Sequence, residues 1–235
     1  QVMHPQLRQD FPSLRSLEAT PNNLPQQITS FVGRERAMAE VRELLGTTRL
    51  LTLVGVGGLG KSRLSLQVGA DVLDDYADGV WLVELAPLSD ARLVFQAVAS
   101  ALGVKEEPGR PVREALLKFV KDRQILLILD NCEHLANACA GLARDVLQSG
   151  PKVKVLATSR ESLRVVGETT YPLSTLRVPD PNQDLTVNEL TQYGSVYLFS
   201  ERASAARPMF RVNDENAAAI ADICHRLDGI PLAVE

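Results

Sequence analysis

Residues 55–62 read Gly-Val-Gly-Gly-Leu-Gly-Lys-Ser, a glycine-rich stretch that ends in a Lys and a hydroxyl side chain. This spacing is typical of a loop whose backbone N–H groups surround phosphate oxygens, whose Lys reaches the β- and γ-phosphates, and whose Ser binds Mg²⁺. The apolar residues 50–54 precede it as a strand would, and Leu64 and Val68 follow at helical spacing. We therefore predict a Walker A nucleotide site between a strand and a helix. The residues expected to contact the nucleotide here are Gly55, Val56, Gly57, Gly58, Leu59, Gly60, Lys61, Ser62 and Arg63.

A carboxylate follows another apolar run further along the chain. Residues 125–129 are all apolar, and Asp130 comes directly after them. Because this run lies two predicted strands after the loop, Asp130 can hold Mg²⁺ as the Walker B half of a phosphate-loop site. The predicted metal ligands are therefore Ser62 and Asp130.

Hydrolysis of a nucleotide needs a group that orients or deprotonates the attacking water. Many ATPases place a second carboxylate directly after the first, but Asn131 occupies that position, and an amide is a poor base. Glu133 is the nearest alternative, and it is equally well explained as a favourable charge in the first turn of a helix. We predict slow hydrolysis, and a turnover above roughly ten per second, the median for enzymes, would contradict it.

Predicted strand four, residues 153–157, is followed by Thr158-Ser159-Arg160. In the usual order of such sheets this strand lies between the loop-bearing and Asp-bearing strands, so Arg160 can form charge-assisted hydrogen bonds to the γ-phosphate. Arg164 competes for this role, and a solvated Arg at a strand end is the plain alternative. No Asn/Thr-Lys-x-Asp motif of guanine specificity follows the loop, so ATP and ADP are the expected nucleotides.

Alternating strands and helices predict the fold. Continuous apolar runs separated by helical stretches indicate a parallel sheet covered on both faces, here a five-stranded α/β three-layer sandwich. After residue 181 only helices are indicated, at about residues 193–206 and 215–227. We predict a Pro-rich linker over residues 1–27, a nucleotide-binding domain over 28–180 and a small, truncated helical subdomain over 185–235.

Composition limits the class of protein. The 235 residues carry a net charge of −4 without a basic run, so nucleic-acid binding by this chain is not expected. The three cysteines form no ligand pair, and neither a membrane span nor a secretory signal is present, so we expect a cytoplasmic protein. The chain begins without Met and stops inside an apparent element, which we interpret as a fragment of a larger protein.

Four motifs together resemble one family. Phe31-Val32-Gly33-Arg34-Glu35, the glycine loop, the Asp130 strand with Thr158-Ser159-Arg160, and Gly229-Ile230-Pro231-Leu232 occur in this order. The combination is similar to the STAND-class signal-transduction ATPases, AAA-like P-loop proteins that include the NB-ARC module of plant resistance proteins. The nearest type is the large bacterial regulator with helix-turn-helix output domains. Residues 4–25 also resemble the segment that joins class III cyclase modules to such ATPases.

The resemblance implies roles for particular residues. Phe31, Val32, Gly33 and Arg34 would lie against the adenine, and Pro231 would pack on the base or ribose while also suiting a helix start. Arg160 would sense the γ-phosphate. Such proteins are switches in which ADP holds a closed form and ATP opens it for self-association or output. Ala37 stands where the family often has an acid, and Asn131 where it has a second acid, which lowers the expected hydrolysis more than the binding.

The function predicted from the sequence is an ATP/ADP-binding switch with weak Mg²⁺-dependent ATPase activity in a multidomain signalling or transcription regulator. Its partners would be adenine nucleotide, other domains of the same polypeptide, and other copies of the chain. Two alternatives remain open: a dedicated ATPase or small-molecule kinase, and a scaffold that binds proteins without nucleotide turnover.

Overall fold

The protein is represented by a computed structural model that describes residues 20–26, 31–105, 109, 111–180, 183 and 185–235. Its strands are β1 Leu50–Val54, β2 Val80–Glu84, β3 Leu126–Asp130, β4 Lys154–Ser159 and β5 Glu168–Pro172. In the described residues they form one parallel sheet in the spatial order β2-β3-β4-β1-β5. The predicted five-stranded parallel sheet is therefore confirmed.

Both faces of the sheet are buried. Successive side chains of a strand point to opposite faces. Leu127 and Leu129 of β3 join the hydrophobic core on one face, whereas Leu126 and Ile128 join the core on the other. All four are at most 1% exposed. This double burial explains why β3 is a continuous apolar run instead of alternating apolar and polar residues.

Helices form the two outer layers. Their bounds are α1 Glu35–Thr47, α2 Lys61–Asp71, α3 Val94–Ala101, α4 Val112–Val120, α5 Ala136–Ser149, α6 Val187–Leu190, α7 Gly194–Ala206, α8 Ala217–Arg226 and α9 Pro231–Val234. α1 and α2 cover one face of the sheet, for example through Val41 and Leu64. α3, α4 and α5 cover the other, through Val98, Leu116 and Leu142. The result is the three-layer P-loop NTPase sandwich that the sequence predicts.

The strand order determines where the polar strand ends meet. The carboxyl ends of parallel strands share one edge of the sheet, and ligands of open α/β sheets bind in the crevice outside that edge. β4 lies between β1 and β3, with Val54 of β1 opposite Ser159 and Leu129 of β3 opposite Ala157. The glycine loop after β1, Asp130 and the end of β4 are therefore neighbours at this edge.

Two predicted helices begin differently from the sequence pattern. The sequence pattern predicts helices over about residues 91–102 and 133–147. In the structure the first starts as the 3₁₀ turn Ala91–Leu93 and the second as the 3₁₀ turn Cys132–Leu135. The second turn follows Asn131, whose φ of 67° lies in the left-handed region and prevents a helix from starting directly after β3. The regular helix α5 consequently begins only at Ala136.

The helices after the sheet bury a small core of their own. Leu190, Val196, Ile220 and Cys224 form its buried centre, which confirms the helical subdomain. Ile223, which the spacing places on the buried stripe of α8, is instead 40% exposed, because this short helix is covered along a narrower face. The domain boundaries at residues 28–180 and 185–235 stay a prediction, and residues 1–19 and 27 of the predicted linker lie outside the described residues.

Residues 20–26 lie along the outer edge of the sheet. Val80 N donates to Pro21 O (3.2 Å), and the Asn23 side chain exchanges two hydrogen bonds with the Leu82 backbone (2.6 and 2.9 Å). These bonds occupy polar groups that an edge strand would otherwise leave open. The end of the predicted linker is thus bound to β2.

Candidate functional site

The glycine loop connects β1 to α2 in a shape that depends on its glycines. Gly58 and Gly60 have φ angles of 81° and 84°, which side-chain-bearing residues rarely adopt. Gly60 is the residue before α2, so Lys61 and Ser62 form its first turn. The unpaired N–H groups of a helix start, together with the positive end of the helix dipole, favour an anion at this position.

Lys61 lies over the mouth of the loop. Its Nζ donates to Gly55 O (2.7 Å) and Val56 O (3.0 Å), and the residue is only 9% exposed. Burial lowers the pKa of the Lys61 ammonium from its usual value, and the negative charge of Glu133 is the strongest opposing influence. The two carbonyls are neutral partners, so phosphate oxygens are stronger acceptors for this ammonium.

A chain of three hydrogen-bonded groups joins the ends of β3 and β4. Thr158 Oγ1 donates to Asp130 Oδ1 (2.6 Å) and accepts from Asn131 N (2.8 Å). Thr158 is 1% exposed, so this link is protected from solvent. The bond from Thr158 orients the Asp130 carboxylate. The residue pattern predicts no separate role for Thr158, although a hydroxyl at the end of an otherwise apolar run is a signal for one.

Glu133 and Arg160 form an ion pair close to these three hydrogen-bonded groups, with 3.3 Å between Glu133 Oε1 and Arg160 Nε. The Glu133 side chain is 20% exposed and that of Arg160 is 69% exposed. The second carboxylate oxygen of Glu133, Oε2, is buried and has no hydrogen-bond partner among the described residues. Arg164, the competing sensor, instead pairs with Glu161 at 3.3 Å on the exposed turn after β4.

The segment predicted to contact the base lies at the other side of the loop. Arg34 is 8% exposed, and it donates to Ser174 O (2.7 Å) and to Leu59 O of the loop (3.0 Å). Arg34 therefore positions the loop through its backbone. Gly33 touches the start of α7, since an added Cβ would lie 3.0 Å from Gly194 Cα.

An open cavity of about 650 Å³ adjoins this segment. Phe31, Val32 and Gly33 line one side, and Gln192 and Tyr197 of the helical subdomain line the other. Its lining combines the aromatic rings of Phe31 and Tyr197 with charged and polar side chains such as Glu35, Arg36 and Arg177. Aromatic surface beside polar groups can hold a small planar ligand and fix its orientation.

Pro231 begins α9, at the first helical position where a missing N–H is tolerated. The next residue, Leu232, donates its N–H to Gly58 O of the loop (3.2 Å). Glu235 pairs with Arg63 of α2 at 3.0 Å and with Arg202 of α7 at 2.8 Å. Sequence reasoning found Pro231 but missed Leu232, Glu235 and Arg202, because their partners are far away in the chain.

Replacing Gly58 by Ala is expected to destabilise the nucleotide-free protein by about 1–2 kcal/mol, because an alanine has an unfavourable left-handed backbone there. Its Cβ would also lie 3.1 Å from Leu232 Cβ and 3.2 Å from Ile230 Cγ2, which presses on α9. Denaturant unfolding without nucleotide measures the change.

Substitutions at two neighbouring glycines, Gly57 and Gly60, serve as controls. They separate the cost of the left-handed backbone from the cost of the close contact with α9. Gly57→Ala introduces a Cβ into open space without a left-handed φ, so its unfolding free energy should change by less than about 0.5 kcal/mol. The Cβ of Gly60→Ala would also lie in open space, but at a φ of 84°. Its change in unfolding free energy therefore measures the backbone strain alone. If Gly58→Ala were as stable as Gly57→Ala, the close contact between the loop and α9 would be refuted.

The metal-ligating and charged side chains at the site fit a nucleotide bound with Mg²⁺. The Asp130 carboxylate and the Ser62 hydroxyl are the hard oxygen ligands that Mg²⁺ prefers, and Lys61 supplies a positive charge for phosphates. Within the residues that the structure describes, no group of three or more His, Cys, Asp or Glu side chains could hold a metal. Mg²⁺ bound by one or two protein groups together with phosphate oxygens matches that arrangement.

Comparison with known proteins agrees with this geometry. Residues 42–166, which include the glycine loop, Asp130 and Arg160, match the family described as AAA domain. The chain belongs to this family. The P-loop ATPase module predicted from the sequence is thereby confirmed as an AAA-type nucleotide-binding domain.

Two similar proteins are large regulators by name. One is a Mycobacterium tuberculosis protein whose name describes it as an HTH-type transcriptional regulator. It is 40% identical to this chain over 195 residues, which cover 83% of this chain and 20% of that protein. Regulatory protein AfsR of Streptomyces griseus is 27% identical over 238 residues, covering 96% of this chain and 22% of that protein. The chain thus spans about a fifth of the length of these relatives.

A solved structure has the same fold. The chain resembles a STAND protein of Pyrococcus horikoshii that carries a tetratricopeptide repeat sensor, with a TM-score of 0.51, 16% identity and coverage of 94% of this chain and 31% of that one. Together with the regulators, this match confirms the STAND-class resemblance. None of the helices in the described ranges is long and apolar enough to cross a membrane.

Proposed function

We propose that this AAA domain is an ATP/ADP-binding switch with slow ATPase activity inside a larger signalling or transcription regulator. The contact between the phosphate loop and the helical subdomain carries the proposal. Leu232 N donates to Gly58 O, so a change in the loop conformation on phosphate binding would directly alter a hydrogen bond of α9. Switching requires this contact to differ in free energy between the ADP and ATP forms.

Five side chains have separate roles on the phosphate side of the proposed site. Lys61 neutralises phosphate charge, while Ser62 and Asp130 hold Mg²⁺. A bound Mg²⁺ would act as a Lewis acid on the phosphate oxygens. Arg160 stands at the carboxyl end of β4 and is exposed enough to turn towards a third phosphate. Thr158 keeps the Asp130 carboxylate in place.

The base is expected in the region bounded by Phe31, Val32, Gly33 and Pro231. Phe31 lies 5.9 Å from the Arg63 guanidinium, so the aromatic ring and the first turn of α2 are neighbours. Arg34 contributes by fixing Leu59 O of the loop, so we infer a positioning role for it. The cavity beside Phe31, with its aromatic and polar lining, supports adenine binding on this side.

Hydrolysis is expected to be slow for two reasons. Asn131 is a poor base, and its backbone N–H is already bonded to Thr158. Glu133, the nearest carboxylate to serve instead, is paired with Arg160 and can act on water only after Arg160 has turned away. Slow turnover suits a switch, because the bound nucleotide then persists long enough to report a signal.

The remaining features of the proposal concern the whole protein. We propose that residues 28–180 and 185–235 move relative to each other, that residues 1–27 link them to a preceding module, and that ATP promotes self-association. A cytoplasmic regulator in which other domains contact nucleic acid agrees with the regulators that this chain resembles.

Nucleotide analysis tests the proposal. Protein purified without added nucleotide is expected to contain ADP, and after its removal both ADP and ATP should bind in calorimetric titrations with Mg²⁺. A turnover well above ten per second, or phosphoryl transfer to a small molecule, would favour a dedicated enzyme. Absence of binding by either nucleotide would favour a protein-binding scaffold and refute the switch.

A further inference from the structure

Glu133 faces the phosphate loop although the sequence assigns it no fixed role. It lies in the 3₁₀ turn after β3, three residues beyond Asp130. Among the negative charges that act on Lys61, Glu133 has the largest influence, ahead of Asp130. Its Oε2 is buried and has no hydrogen-bond partner among the described residues, so the carboxylate retains an unused acceptor inside the site.

Arg160 is the group that holds the other oxygen of this carboxylate. Its Nε lies 3.3 Å from Glu133 Oε1, and its side chain is 69% exposed. Because the Arg160 side chain is mostly exposed, water solvates its guanidinium when it leaves Glu133, whereas the largely buried carboxylate is left unpaired. Arg160 therefore leaves Glu133 only when a stronger partner binds it.

A terminal phosphate is such a partner. Arginine forms planar, often bidentate contacts to phosphate oxygens, which are stronger than a single contact to a carboxylate. β4, which ends at Ser159, lies directly beside β1, which leads into the loop. Arg160 follows β4 directly, so it lies at the edge of the sheet where the loop would hold the last phosphate of a nucleotide.

We propose that Arg160 exchanges partners, binding Glu133 when the last phosphate is absent and the γ-phosphate when ATP is bound. This inference rests on the proposed nucleotide site. It makes Glu133 the water-activating group only in the ATP form. Glu133 then takes a proton from water as the water oxygen bonds to the γ-phosphorus and the bond to the β-phosphate oxygen breaks, and the proton passes to the released phosphate.

The exchange predicts a measurable competition. Glu133→Gln removes the competing charge, so ATP should gain affinity relative to ADP by at least about two- to five-fold, because the contribution of a surface ion pair is a lower bound for one whose carboxylate is largely buried. Part of that gain in ATP affinity would come from removing the charge repulsion between Glu133 and the phosphate. The effect of Glu133→Gln in the Arg160→Ala variant measures this repulsion alone, because the ion pair with Arg160 is absent there.

A double-mutant cycle is the test. Dissociation constants of ADP and of a non-hydrolysable ATP analogue are measured by calorimetry at fixed Mg²⁺ and salt for wild type, Glu133→Gln, Arg160→Ala and the double variant of the 235-residue chain. Arg160→Ala should weaken the analogue and leave ADP unchanged. The gain from Glu133→Gln should be clearly smaller in the Arg160→Ala background.

Glu161 and Arg164 provide matched controls. They form an ion pair of the same 3.3 Å length on the adjacent turn, but both side chains are exposed, at 63% and 80%. Glu161→Gln and Arg164→Ala should leave the ratio of the two dissociation constants unchanged. Thermal unfolding of every variant checks that folding is retained.

Each outcome separates this inference from the proposed function. If the wild type binds neither nucleotide, the proposed function fails. If it binds both but Glu133→Gln has the same effect with and without Arg160, or Arg160→Ala weakens ADP and the analogue equally, the partner exchange is refuted while the nucleotide site stands.

Discussion

Replacing Lys61 by Ala is expected to weaken the binding of both ATP and ADP by about 100-fold or more. Lys61 is 9% exposed, and its ammonium lies over the loop, bonded to Gly55 O and Val56 O. Removing one partner of a desolvated charge pair costs about 2–5 kcal/mol, and each 1.4 kcal/mol is a factor of ten in affinity. Calorimetric titration with each nucleotide measures the loss.

ADP binding distinguishes Lys61 from a residue that senses only the γ-phosphate. Lys61 reaches the β-phosphate, which ADP retains, so both nucleotides should lose affinity together. Lys121→Ala, at an exposed position after α4, removes the same charge far from the loop and should change neither affinity. Unchanged nucleotide binding by a folded Lys61→Ala protein would overturn the assignment of the phosphate loop.

Replacing Asp130 by Asn should remove the dependence of ATP binding on Mg²⁺ and lower the hydrolysis rate by roughly 100-fold, since a catalytic metal contributes several kcal/mol. The amide oxygen can still accept from Thr158 Oγ1, which bonds Asp130 Oδ1 at 2.6 Å in the wild type. The substitution therefore preserves local shape and removes the charge. ATP titrations with and without Mg²⁺, and phosphate release, measure the two effects.

Asp122 offers a control at the opposite edge of the sheet. It is exposed in the turn between α4 and β3, whereas Asp130 ends β3. Asp122→Asn should keep the Mg²⁺ effect and the hydrolysis rate of the wild type. A similar Mg²⁺ effect in Asp130→Asn would show that another group, with Glu133 the nearest carboxylate in the chain, holds the metal.

The sequence alone determined the sheet, the loop and the identity of the main polar groups. Continuous apolar runs require burial on both faces, and the glycines of residues 55–62 occupy backbone angles such as the 81° of Gly58. These are local properties, so they can be read from neighbouring residues. The strand bounds accordingly differ from the predicted ones by one or two residues, and Asp130 ends β3.

Only the tertiary structure decided which polar groups are partners. The Glu133–Arg160 pair, the Arg34 bonds to Ser174 and Leu59, and the contact of Leu232 with Gly58 all join residues distant in the chain. The sequence left Glu133 with two equal interpretations and gave Glu235 none. Such pairings depend on the strand order and on how the helical subdomain packs against the loop, and local residue patterns do not encode either, because the energy of each contact arises only when separate elements meet.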